Sequence, residues 1–190
     1  MIIKKDVPFV RINNILADQT LKALDLFTEF LLNEQFELVI EIGSGRGGFT
    51  EFLYAHCSKL ISYDITSERN ESNNGNIDFR VADCLDETTV NEINKEIEKC
   101  NKVLVLCDGG NKELEVKLFS SMLKSGSYVM CHDYCFTQES YDNFIFETLW
   151  PTQPESYYKN LESTLEKNKL SKAKNHNDFS SAFWGCFIKD

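Results

Sequence analysis

Residues 38–48 read Leu38-Val39-Ile40-Glu41-Ile42-Gly43-Ser44-Gly45-Arg46-Gly47-Gly48. A short, mostly apolar run closed by glycines suits a buried strand better than a helix, because it is too brief for helical periodicity and ends in turn residues. Phe49, Phe52 and Leu53 then resume three- and four-residue spacing. The stretch is therefore a strand, a glycine loop and a helix.

The same unit recurs outward. Upstream, Leu21, Leu24, Phe27 and Leu31 follow the polar start Asp18-Gln19-Thr20 and predict an amphipathic helix with its cap. Downstream, Lys59–Asp64 predicts a strand, Ser67–Asn76 a loop or frayed helix, and Ile77–Val81 another strand. A helix is expected from Asp86 to Lys99, a buried strand at Val103–Cys107, a helix carrying Leu114, Val116, Phe119 and Met122, and a strand at Tyr128–Cys131. Pro151 and Pro154 break the chain before a helix expected from Ser156 to about Lys169, and Ala182–Ile188 predicts a closing strand. Strands alternating with helices specify an α/β fold with a doubly wound, mostly parallel sheet covered on both faces.

Bulk properties bound the rest. With 190 residues, 42% hydrophobic, one domain over 1–190 is expected, and no run is long and apolar enough to span a bilayer. Within it, 1–36 is expected to be an N-terminal helical segment, 37–134 the ligand-binding core, and 135–190 the second-substrate side with the closing strand. Lysines and an aspartate interrupt the start where a signal peptide needs an apolar core, so a soluble, cytoplasmic protein is expected. The seven cysteines are odd in number and form no Cys-x-x-Cys pair, which favours reduced thiols. Cys131, His132 and Cys135 lack the ligand spacing of a zinc site. The formal charge of −10 repels a phosphate backbone and disfavours nucleic acid as a partner. Membrane partners are not expected, and the sequence leaves the oligomeric state open.

Ligands of such sheets bind beyond the carboxyl ends of the strands where the strand order reverses, so the loop after Ile42 is the first place to look. Gly43, Gly45 and Gly48 satisfy G-x-G-x-x-G, which keeps a dinucleotide and hence a nicotinamide-dependent oxidoreductase in play. Three carboxylates favour instead a nucleoside that carries positive charge. Glu41 lies two residues before the first glycine, Asp64 ends the second strand and could accept ribose hydroxyls, and Asp83 follows the third strand and could accept an adenine amino group. The oxidoreductase would also need a substrate domain or a Tyr-x-x-x-Lys helix, and neither is found.

These stretches, VIEIGSGRGGFTEFL with ISYD, FRVADCLD, VLVLCDGG and LKSGSYVMCHDY, resemble the ordered motifs of class I S-adenosylmethionine-dependent methyltransferases, over roughly Leu38 to Tyr134. The resemblance implies a Rossmann-like fold, S-adenosylmethionine as cofactor and methyl transfer as the activity. Gly43, Ser44, Gly45 and Gly47 would line the methionine part, Glu41 would support its amino group, Asp64 the ribose and Asp83 the adenine, with Asp108 beside them. Asp108-Gly109-Gly110-Asn111-Lys112 followed by LFSSMLKSGSYVMCHDY further resembles the small methyltransferases related to the cephalosporin-hydroxylase and sugar O-methyltransferase group. That likeness implies a small-molecule or sugar hydroxyl as acceptor. A catalytically silent donor-binding subunit remains an alternative.

Asp108 and Asp133 close consecutive strands and should bring their carboxylates together near the donor methyl, with His132 as first choice for general base. A divalent metal on Asp108 and Asp133, helped by Asn111 or His132, is the less favoured alternative, since His132-Asp133 stands where metal-using relatives tend to carry two adjacent acids. The acceptor pocket is expected from the N-terminal segment and from Phe136–Asn177, with Tyr141, Phe144, Phe146, Trp150, Tyr157 and Tyr158 either lining it or packing the core.

Overall fold

The computed structural model describes residues 1–6, 9–68, 70–136 and 156–190. The central element is a seven-stranded sheet. Its strands are β4 (Leu38–Ile42), β5 (Leu60–Asp64), β6 (Asp78–Val81), β7 (Val103–Cys107), β8 (Tyr128–Cys131), β11 (Leu170–Lys172) and β12 (Gly185–Lys189). In space they run β11-β12-β8-β7-β4-β5-β6. Strands β8 to β6 pair in parallel, while β12 is antiparallel to both β8 and β11. From β4 the chain winds outward through β5 and β6, then returns to β7 on the other side. The reversal between β4 and β7 fixes where a ligand can sit.

Both faces are covered because apolar side chains alternate on strands buried from both sides. Val39, Leu104, Leu106 and Met130 pack with α1 (Leu21–Glu34), α2 (Gly48–His56) and the short α6 (His176–Ser180). Leu38, Ile40, Ile42, Val105 and Cys107 pack on the opposite face with α3 (Glu87–Glu98), α4 (Lys112–Ser120) and α5 (Tyr158–Lys167). Thr20 caps α1 by accepting the Ala23 amide at 3.1 Å, and Gln35 ends that helix in the left-handed region. On the first face Phe27 meets Phe49, Phe179 and Trp184 edge-on at 4.9–5.2 Å between ring centroids.

Three readings of the sequence need correction. The N-terminal segment is helical only from Leu21. It opens with a small antiparallel sheet of β1 (Ile3–Asp6), β2 (Phe9–Ile12) and β3 (Ile15–Leu16), whose turn residues Asn13 and Asn14 take positive φ. The helix expected from Ser156 begins at Tyr158, because Ser156–Tyr157 forms β10, paired in parallel with β9 (Tyr134–Cys135). Strand β11 went unread, since Leu170-Ser171-Lys172 has one buried residue and no alternation to betray it.

Candidate functional site

A cleft of about 920 Å³ opens at the carboxyl ends of β4 to β8. Glu41, Gly43, Ser44, Gly45, Asp64, Asp83, Asp108, His132 and Asp133 all line it. Of the donor-binding and catalytic candidates named from the family resemblance, Gly47 does not. It caps the start of α2 with φ of 87°, and a Cβ there would lie 2.7 Å from Asn70 Oδ1. The requirement for glycine at 47 thus comes from the loop packed on it, not from the cleft.

The glycine loop is tied to the end of β5. The Gly43 amide donates to the Tyr63 carbonyl at 2.8 Å, and Asp64 Oδ2 accepts from the Gly45 amide at 2.9 Å and the Ser44 hydroxyl at 3.3 Å. Asp64 Oδ1 accepts the Thr66 amide at 3.1 Å. A carboxylate has about four acceptor positions, so Asp64 keeps capacity for a further donor. Gly43 takes φ of 88°, and a Cβ there would fall 2.2 Å from the Asp108 carbonyl oxygen, so β4's loop and β7's end are in backbone contact. Gly45 differs, since a Cβ there meets nothing within 4 Å. Asp83 is exposed and accepts the Leu85 amide at 2.9 Å, while Asp86 is taken up capping α3.

Glu41 is 1% exposed and faces α2 rather than solvent. Its Oε2 accepts hydrogen bonds from the Thr50 hydroxyl at 2.7 Å and the Ser62 hydroxyl at 2.5 Å. Burial pushes its carboxyl up to about 7. The two hydroxyls oppose that shift, and the Asp108 and Asp64 charges add to it. A cationic group entering the cleft would favour the ionised form.

At the far side stand Asp108, His132 and Asp133, with one ligating atom from each within 4.8 Å of the others. His132 Nδ1 lies 3.0 Å from Asp108 Oδ1 and 3.8 Å from Asp133 Oδ1. Its ring stacks on Trp184 with centroids 4.7 Å apart. Burial alone would lower the His132 pKa, but the carboxylates of Asp108 and Asp133 and the hydrogen bond to Asp108 more than offset it, so the imidazole sits above its usual value. Asp133 takes φ of 50°, and its buried Oδ1 has no hydrogen-bond partner among the described residues.

Three members of this side escaped the sequence reading. The Lys112 ammonium, 4% exposed, lies 3.3 Å from Asp133 Oδ2 and 3.6 Å from Asp108 Oδ1, and donates to the Gly109 carbonyl at 3.1 Å. Glu115 is fully buried and accepts the Gly109 and Asn111 amides at 3.2 and 3.1 Å, which holds the turn after β7. Lys112 and Glu115 follow Asp108 and Asn111 at helical four-residue spacing, a signal present in the sequence. Trp184 had none, because it arrives from the other end of the chain. Of the aromatic residues weighed for an acceptor pocket, Tyr141, Phe144, Phe146 and Trp150 lie outside the described residues, while Tyr157 ends β10 and Tyr158 begins α5.

Comparison with known proteins bears on the family and the fold. The sequence model of the FtsJ-like methyltransferases matches residues 19–149. No curated protein matches the chain by sequence. Among solved structures, CmcI in its apo form aligns over 90% of this chain and 72% of its own, with TM-score 0.62 and 16% identity. A Staphylococcus aureus protein described as a caffeoyl-CoA O-methyltransferase aligns over 94% and 87%, with TM-score 0.63 and 11% identity. Human N-acetylserotonin methyltransferase in complex with SAM aligns over 88% and 50%, with TM-score 0.51 and 14% identity. At such identities the likeness is one of fold.

Proposed function

Because this chain belongs to the FtsJ-like methyltransferase family, we propose that it methylates a hydroxyl oxygen of a small-molecule or sugar acceptor, with residues 1–190 acting as one domain. The donor is S-adenosylmethionine, which when bound supplies a methyl carbon already activated by its sulfonium. The donor set suits it. Open space over Gly45 adjoins three carboxylates in chain order, Glu41, Asp64 and Asp83, and among the described residues Arg46, paired with Glu71 at 3.4 Å, is the only lysine or arginine lining the cleft. A pyrophosphate would meet those carboxylates unfavourably, whereas a sulfonium and an ammonium would not.

In this reading Asp64 accepts from the ribose and Asp83 from the adenine, while Glu41 stabilises the amino-acid end through its ionised form. The reaction is an in-line displacement, so the protein has to hold the acceptor oxygen at attack distance and receive its proton. His132 receives that proton. Asp108 hydrogen-bonds Nδ1, fixing the ring's tautomer and orientation so that Nε2 is the basic atom, and Trp184 keeps the ring from rotating.

The observation that carries this proposal is the 3.0 Å contact between Asp108 and His132 at the ends of adjacent parallel strands, in the cleft that the glycine loop also lines. A screen of sugar and phenolic hydroxyl compounds with labelled donor tests it. A turned-over acceptor should lose about 10²-fold in rate on His132→Ala with donor affinity unchanged. A His132→Ala rate near wild type would remove the base from the mechanism.

A further inference from the structure

Asp108, His132 and Asp133 offer oxygen and nitrogen ligands within 4.8 Å of one another, the donor set of a divalent cation. The space between the two carboxylates is nevertheless spoken for. Lys112 Nζ stands 3.3 Å from Asp133 Oδ2 and 3.6 Å from Asp108 Oδ1, on a side chain only 5% exposed. A cation bound to those same oxygens at about 2.1 Å would lie within contact distance of the ammonium. In a buried setting, water cannot screen that repulsion. Nor can the lysine swing aside cheaply, because its first-turn position on α4 and its bond to the Gly109 carbonyl at 3.1 Å hold it between the two carboxylates.

We propose that the Lys112 ammonium takes the place of a divalent metal between Asp108 and Asp133, so that methyl transfer here is independent of metal. The exclusion of metal rests on geometry alone, while its consequence for the reaction rests on the methyl-transfer reading above. The lysine neutralises one carboxylate, which leaves the other to orient His132.

The test is a binding measurement that needs no acceptor. Titration of the full chain with Mn²⁺, followed by calorimetry and by electron paramagnetic resonance, should show no saturable site in the wild type up to millimolar metal. Lys112→Met keeps the side chain's length and removes its charge. It should bind Mn²⁺ at least ten-fold more tightly than wild type, and adding Asp133→Asn should abolish the gain. Lys112→Gln is the second variant should the first lose its cooperative melt. Wild-type Mn²⁺ binding that disappears in Asp133→Asn would overturn the proposal whatever the lysine variants do. So would folded Lys112→Met and Lys112→Gln proteins that gain no affinity, since a lysine that merely anchors α4 predicts that outcome. S-adenosylhomocysteine is titrated into the same samples. Its failure to bind wild type would count against the donor reading while leaving the metal comparison intact.

Discussion

Asp64 holds the cleft's shape and is the proposed contact for the ribose. Its two oxygens already fix the Gly45 and Thr66 amides, so Asp64→Ala removes an acceptor and loosens the loop together. Loss of such a charged acceptor should weaken S-adenosylhomocysteine binding by about 1–3 kcal/mol, measured by calorimetry. Asp64→Asn should retain part of the loop bonding and fall between. Glu41 gives a pH signature. Its carboxyl is raised from 4.5 to about 7, so between those values the folded state holds a proton that the unfolded state has released. Stability therefore falls as pH rises through that window, by about 3 kcal/mol in all from this one group. Urea melts of wild type and Glu41→Gln between pH 4.5 and 7.5 should differ by this slope, and parallel curves would remove Glu41 as its source. The sequence placed Glu41 at the right strand end. It could not show that Thr50 and Ser62 would bond the carboxylate, because these partners come from α2 and the adjacent strand and only pairing brings them together.

Elements explain which residues are replaceable. Gly43 and Gly45 look equivalent in the sequence, two glycines in one loop, yet only the first abuts another element. Gly43→Ala places a methyl against the Asp108 carbonyl and should cost about 2 kcal/mol or more, seen as a lower melting temperature. Gly45→Val points into open cleft. It should keep a cooperative melt at a strain cost of about 1–2 kcal/mol and lose donor binding. Equal melting losses in both variants would contradict this division. The parallel strands were legible to within a residue, since a fully buried strand is a continuous apolar run with glycine or polar ends. Strands β1 to β3, β9, β10 and β11 were not legible. They are two to four residues long and owe their pairing to neighbours distant in sequence or to Asn13 and Asn14 turning the chain.

Across the whole molecule the site is assembled from both ends of the chain. The Trp184 indole donates to Gln19 Oε1, 165 positions away in sequence, at 2.9 Å, and the same ring lies against His132. Trp184→Ala should cost about 3–5 kcal/mol of stability and lower turnover together, whereas Trp184→Phe should keep the stacking and chiefly lose the bond to Gln19. Chemical denaturation and single-turnover rates would separate the two. Among the described residues no helix is long and apolar enough to cross a membrane. One feature of the sheet reaches beyond the folded state. Strand β12 lies between β8 and β11 yet follows both in the chain. During synthesis β8 must therefore wait with one row of amides and carbonyls bare until residues 185–189 emerge from the ribosome, and during that interval the nascent chain offers a sticky edge to any other nascent chain nearby.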